Sequence, residues 1–397
     1  MKDMKDTTKR RYAVCRTAPI YAVSALLSAL IMLTGCAGSH SGEVGYTSDV
    51  SHGSETSAPL ENETSDVEQG ADVELPEGFG GVSVLRFGSL PSARAVQQFA
   101  FYEENGEEYI FVTQREGSTV YLSRCKVNSA LGLAVTLDYA VLEGYGHGDS
   151  LDISIHNGHT YVLIASGANT SNDNAWSTQL TRLRYESGSI TDVKVLTDMS
   201  RATKDGSQVH ENATTYRINF GADDSSDMLA IYIKADTDNN GKVTGNHYIN
   251  AYRLSAVHEA LDRAETDASL GELYGALIAT TGQTSSGSIC KNGSCQGVEV
   301  GANGEILITG GTTSKKPELY IFELSDGVIS RKEIREISFI ASKYLGTKDF
   351  SVSEKYVEIE SIKYLDGDLY CVFNPGGDME RDHTELYLLT EGNTQVR

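Results

Sequence analysis

Gln97-Gln-Phe-Ala-Phe101 opens a pattern that recurs at Asp149-Ser-Leu-Asp-Ile153, Thr214-Thr-Tyr-Arg-Ile218, Gln296-Gly-Val-Glu-Val300 and Glu360-Ser-Ile-Lys-Tyr364. Each copy has a polar residue, a small or polar one, then apolar-x-apolar, the two-residue period of a half-buried strand. A second, more apolar strand follows each after a short turn, at 109–113, 161–165, 228–233, 306–309 and 369–373. A third returns at 119–127, 179–185, 248–254, 318–324 and 385–389. Self-similarity at a period of some tens of residues is the mark of a propeller or a solenoid.

Four units continue into an outer strand, at 134–142, 190–196, 274–280 and 328–340, whereas the fifth runs out of chain. The apolar segment Val82 to Phe87 is available to complete it. These residues predict an all-β domain over 81–397, a five-bladed β-propeller whose N-terminal strand closes the last blade. Closure leaves only short, protected edges. A β-sandwich or an open solenoid is the alternative. One stretch, Leu254 to Thr266, has helical spacing.

The chain of 397 residues carries 33 Lys and Arg against 55 Asp and Glu, a formal net charge of −22. Gripping nucleic acid needs clustered cations that displace counterions, so this balance excludes it as a partner. Residues 1–35 read as a lipoprotein signal peptide: Lys2, Lys5, Lys9, Arg10, Arg11 and Arg16 precede an apolar run from Ile20 to Leu33. The run ends in Leu33-Thr34-Gly35-Cys36, which resembles a bacterial lipobox. That resemblance implies acylation at Cys36 and a chain held on the extracytoplasmic face of a bacterial cell membrane by its lipid anchor. Residues 36–80 form the next segment. From 37 to 80 there is no Lys or Arg, and ten acidic residues lie among Ser, Gly and Thr. Such a segment cannot bury a core and reads as a disordered tether.

In a closed ring the first residue of each innermost strand lies beside the axis, so Gln97, Asp149, Thr214, Gln296 and Glu360 would line one mouth of a central channel. His147, between two glycines, would stand at that mouth next to Asp149. A plain alternative is that these groups hold water and cap strand ends.

The segments Tyr121-Leu-Ser-Arg-Cys-Lys-Val127, Asp138-Tyr-Ala-Val-Leu142, Gly144-Tyr-Gly-His-Gly-Asp-Ser-Leu151, Ile249-Asn-Ala-Tyr-Arg-Leu254 with its short helix, and Gln296-Gly-Val298 resemble the helveticin J family of large bacteriocins. The resemblance implies a five-bladed propeller, an antibacterial or cell-envelope role, and no established catalytic residues. The lipobox and acidic tether depart from secreted bacteriocins and fit a retained surface binder of an envelope polymer or glycan.

Asp236, Asp238 and Asn240, with Gly241 after them, offer oxygens at positions 1, 3 and 5 and a turning glycine at 6, as calcium requires. The twelfth position is His247 rather than Glu, so a simple Asn-Gly turn is the competing reading. Calcium is the only cofactor left open. His147, His156 and His159 fall at opposite ends of one hairpin, which argues against zinc. Asp149 and Glu360, with Glu211 and Glu358 nearby, hold places that carboxylates take in propeller glycoside hydrolases, but the matching first-blade residue is Gln97. The expectation is a binding protein and not an enzyme, with a glycan hydrolase as the minor alternative. Cys290 and Cys295 flank a four-residue turn and are expected to form a disulfide in an oxidising exterior. Cys125 and Cys371 read as buried free thiols.

Overall fold

Five hairpins turn on two residues with both φ angles positive: Asn105-Gly106, Asn157-Gly158, Ser187-Gly188, Asp326-Gly327 and Asp366-Gly367. This is the turn whose twist matches the flanking strands, and the Gly, Asn and Asp residues tolerate it. The structure, a computed structural model, describes residues 77–392 apart from 172, 209–211, 237–245, 292–293, 302, 313–314, 343–345, 350–356 and 375–383. The signal peptide, Cys36 and the acidic tether up to residue 76 lie outside the described residues.

Strand β1 (Phe79–Gly88) is followed by β2 (Val96–Glu104), β3 (Glu107–Glu116), β4 (Thr119–Asn128) and β5 (Leu133–Glu143), and β2 to β5 pair antiparallel in chain order. A second group pairs likewise through β6 (Leu151–His156), β7 (His159–Ala168), β8 (Ser177–Glu186) and β9 (Ser189–Thr197). In the third, β10 (Thr214–Asp223), β11 (Met228–Asp236) and β12 (Asn246–Arg253) lead into helix α1 (Leu254–Arg263) and a short strand β13 (Asp267–Ser269) along β9. Strand β14 (Leu277–Thr280) then returns to pair with β12. After the single turn α2 (Ser286–Ile289), β15 (Cys295–Val300), β16 (Ile306–Thr312), β17 (Lys315–Ser325) and β18 (Val328–Glu336) make the fourth group. A hairpin of β19 (Phe339–Ser342) and β20 (Gly346–Asp349) precedes β21 (Glu358–Leu365), β22 (Asp368–Asn374) and β23 (Glu385–Glu391).

The fourth strand of this last group is β1, antiparallel to β23 with Gly81 opposite Leu389 and Val82 opposite Leu388. Parallel contacts of β1 with β5 and of β14 with β18 merge the groups at their outer edges into sheets of ten, eight and five strands. The all-β expectation holds. Two boundaries differ from it. The third outer strand starts only at Leu277, because Leu270–Ala276 winds into 3-10 turns that bury Leu270 and Leu273. The stretch 328–340 is two strands, since Ile337 and Ser338 leave β18 to hydrogen-bond with Pro317 and Phe79.

Side chains alternate between the two faces of each sheet, so each sheet feeds two cores. Phe111 and Leu122 pack with Leu151 and Ile164 of the next group, whereas Ile110 and Val112 pack with Phe87 and Leu386 of the last. Similar clusters join the second group to the third, the third to the fourth and the fourth to the fifth. The first strands also neighbour one another in a cycle, β2 with β6 and β21, β10 with β6 and β15, and β15 with β21.

Candidate functional site

Four of the five first strands carry an irregularity in register near their start: between Val96 and Gln98, Thr215 and Arg217, Cys295 and Val298, and Ile359 and Ser361. An extra residue re-aims the side chains that follow it. Gln97 is such an extra residue and stays half-buried. Its neighbour Gln98 turns inward, where its Nε2 donates to the main-chain oxygens of Gln296 (3.3 Å) and Glu360 (3.0 Å). Thr214 is exposed, and Arg217 and Asn219 take the interior positions of β10. Of the residues expected to line one mouth of a channel, Gln97 is half-buried and Thr214 exposed, while Gln98, Arg217 and Asn219 hold the interior positions.

Asp149, Gln296 and Glu360 do come together. Arg217 donates from Nε to Asp149 Oδ2 at 3.1 Å, from Nη1 to Ser294 Oγ at 2.7 Å and from Nη2 to Gln296 Oε1 at 3.3 Å. Asn219 Nδ2 donates to the main-chain oxygens of Asp149 (2.7 Å) and Gln296 (3.0 Å). Gln296 Nε2 donates to Glu358, which is half-buried, and Asn374 Nδ2 donates to Glu360 Oε1 at 3.3 Å. Burial holds the Glu360 proton well above the usual carboxylate range, and the neighbouring Glu358 and Asp149 charges add to this. Burial also raises Glu358, against its hydrogen bond from Gln296 and the Arg217 charge. Among the described residues, Asp149 Oδ1 is buried with no hydrogen-bond partner. A buried, unanswered carboxylate oxygen is costly unless a water or a ligand donor meets it.

Trp176 was not anticipated from the sequence. It is half-buried, with the Arg217 guanidinium 3.6 Å and the His147 ring 4.5 Å from its ring centroid. His147 Nδ1 lies 2.7 Å from Arg115 Nη1 and 2.9 Å from the Asn174 oxygen, and burial lowers its pKa against the pull of Asp149. The cluster therefore combines a carboxylate with a free acceptor, two carboxyl groups inclined to keep their protons, a guanidinium and an indole. It can hydrogen-bond and stack with a polar ring.

Three residues further along their strands, Asp152, Glu299 and Lys363 form a second tier. Lys363 Nζ lies 2.7 Å from Asp152 Oδ2 and 2.7 Å from Glu299 Oε2, and all three are buried. Asp236 is buried at the end of β11, opposite Thr214, while Asp238 and Asn240 lie outside the described residues. Among the described residues no group of three or more His, Cys, Asp or Glu is placed to hold a metal.

Cys290 and Cys295 are free thiols, which corrects the expected disulfide. Both lie in the apolar cluster between the third and fourth groups, beside Tyr232. Burial, with a hydrogen bond to Cys295, pushes the Cys290 thiol up and disfavours the thiolate that disulfide exchange requires. Cys125 and Cys371 are buried free thiols, as expected.

Residues 96–372 match the family of the bacteriocin helveticin-J. The chain belongs to that family. No curated protein matches it. Among solved structures, this helveticin-J family member is similar to the catalytic domain of the Coprinopsis cinerea GH62 α-L-arabinofuranosidase, at 12% identity and a TM-score of 0.41, over 80% of this chain and 98% of that one. It is also similar to the exo-β-1,3-galactanase of Phanerochaete chrysosporium, at 13% identity and TM-score 0.43, over 78% and 64% of the two chains. The α-L-arabinanase of Penicillium chrysogenum is 10% identical with TM-score 0.37, over 81% and 100%. These neighbours are glycoside hydrolases, so the comparisons lend no support to the expectation that the chain is not an enzyme. At these identities and TM-scores they assign no reaction or substrate to this helveticin-J family member.

Proposed function

We propose that this chain is a surface-anchored, helveticin-J-like antibacterial or cell-envelope-binding protein that binds an envelope glycan at the mouth of a closed five-bladed β-propeller. In this reading the five four-stranded groups are the blades, and Cys36 carries the lipid anchor at the extracytoplasmic face. The observation that carries it is the unanswered, buried Asp149 Oδ1 beside a half-buried Trp176. Sugar hydroxyls donate to such an oxygen, and sugar rings stack on such an indole. Membership of a bacteriocin family supports an envelope target.

The test uses the whole chain purified in detergent and probed with envelope polysaccharide fractions, with and without calcium. Retention of polymer by the wild type and its loss in Asp149→Asn and Trp176→Ala is expected. Equal retention by all three sinks the site. Killing of indicator cells separates an antibacterial protein from a non-lethal adhesin.

A second reading rests on the carboxyl groups. Glu358 and Glu360 are inclined to stay protonated, while Asp149 is ion-paired with Arg217, a division of acid and base that glycosidic cleavage uses. Release of sugar that stops in Asp149→Asn and Glu360→Gln would support it, and no release by the wild type would remove it.

A further inference from the structure

A cavity of about 260 Å³ opens between the first and second groups, lined by Tyr102, Phe111, Tyr185, Arg124, Glu104 and Glu186 among others. It lies at the far end of the first strands: Tyr102 is four residues beyond Gln98 on β2, about 13 Å along at strand rise. We propose that this cavity is a second, separate glycan site that takes one uncharged pyranose unit. The proposal rests on the glycan reading of the chain but uses none of the residues at the mouth.

Three aromatic rings stand at different angles around the space. Phe111 and Tyr185 have centroids 5.1 Å apart at 82°, and Tyr102 and Phe111 are 6.0 Å apart at 50°. Asp138 fixes the wall, accepting from Tyr185 Oη at 2.5 Å and from Arg124 Nη2 at 2.6 Å. Among the described residues, Arg124 Nε is buried without a hydrogen-bond partner. Glu104 and Glu186 stand exposed at the rim as acceptors, Glu186 with one oxygen 3.4 Å from Arg184 Nη2. Apolar ring faces inside a polar rim of acceptors and one guanidinium match a sugar, whose CH faces stack while its hydroxyls both donate and accept.

Size and charge narrow the class. The volume falls below the roughly 300–1,000 Å³ of drug-sized sites, so a single ring fits and a longer chain must project outward. A cationic headgroup would also seek aromatic rings. Here the Arg124 guanidinium already takes the place of a cation, 6.0 Å from the Tyr185 ring centroid and with its charge answered by Asp138 at 2.6 Å. Two sites at opposite ends of one body let a repeating polymer bind with an avidity above that of either site.

The whole chain is titrated with methyl glucoside, methyl galactoside, N-acetylglucosamine and, separately, choline, with saturation-transfer NMR as readout. In a Trp176→Ala background that silences the mouth, the proposal expects one of the neutral sugars still to bind, with affinity weakened at least tenfold by adding Tyr102→Ala or Glu104→Ala. Far-UV circular dichroism checks that each variant folds, and Glu104→Gln, exposed and isosteric, serves where Tyr102→Ala does not. Wild type binding none of the sugars overturns it, as does choline displacing the sugar or equal binding by the Tyr102 and Glu104 variants. If polymer retention is lost in Asp149→Asn but kept in the cavity variants, this site fails and the mouth stands. The reverse pattern leaves the cavity and removes the mouth.

Discussion

Arg217 and Asp149 form an ion pair at 3.1 Å between the third and second groups, with both side chains only 4% exposed. The same guanidinium reaches Ser294 and Gln296 of the fourth group and covers Trp176. One side chain thus ties three groups together at the mouth.

Removing it strands a buried charge. Arg217→Met is expected to cost about 3–5 kcal/mol in urea unfolding, because Asp149 is left without its counter-charge. Asp149→Asn is expected to cost less, since the amide still meets the guanidinium, yet to lose glycan retention. A Met variant as stable as wild type would mean that the pair holds nothing together.

The residues around Arg217 illustrate what could be read in advance. Asp149 and Gln296 stand where the five-fold pattern puts them, because that pattern fixes the first polar residue of each strand. Gln98 and Arg217 could not be placed by it, since apolar periodicity carries no mark of a bulge that adds a residue and shifts the inward position. Arg217 did leave one signal, as a charge beside Asn219 in an otherwise apolar strand. Trp176 comes from the connection between β7 and β8, whose position depends on the neighbouring group. The cysteines at 290 and 295 were close enough to bridge, but spacing does not reveal the apolar burial that keeps them as thiols.

Glu299 should give the protein a pH dependence toward the basic side. Burial pushes its carboxyl up to about 8 from an ordinary 4.5, with Asp152 adding and Lys363 opposing. Burial pulls Lys363 down, yet Asp152 and Glu299 outweigh it and hold the ammonium up to about 12. Between 4.5 and 8 the folded state keeps a Glu299 proton that the unfolded state has released, so stability falls as pH rises through this window. Glu299→Gln removes the titrating proton and keeps one acceptor oxygen, enough for Lys363 or the Tyr364 amide but not for both. Urea unfolding at pH 5 to 8 is expected to show a smaller decline in the variant, and parallel declines would refute this.

His258 acts in the opposite direction. Ser154 Oγ donates to Asp224 Oδ1 at 2.6 Å, so it receives the Nε2 proton of His258 at 2.7 Å. His258 Nδ1 is then the acceptor for Arg182 Nη1 at 3.2 Å. A proton on Nδ1 would face the guanidinium. Burial first, then His156 and Arg182, lower the pKa to about 3 from 6.5. The folded state resists protonation, so this stability is complete above about 6.5 and is lost as pH falls toward 3. His258→Gln is expected to lower Tm at pH 7 and to lessen the further loss between pH 6.5 and 4. A variant that keeps the full acid loss would assign that loss to other groups.

Closure through β1 makes the sharpest steric prediction. A Cβ at Gly80 would run into the Phe339 main-chain oxygen and lie 2.7 Å from its ring, and one at Gly81 would lie 2.8 Å from the Phe373 ring. These contacts arise because β1 runs between β23 and β19, pairing with both. Gly80→Ala should therefore prise β1 from β19, with an overpacking cost of about 1–3 kcal/mol. Because β1 supplies the outer partner of β23, amide exchange should quicken along β23 before it does along β3, which lies within the first group. Hydrogen exchange measured strand by strand decides it. Uniform quickening would mean that the strands open as one unit, and none would mean that β1 does not hold β23.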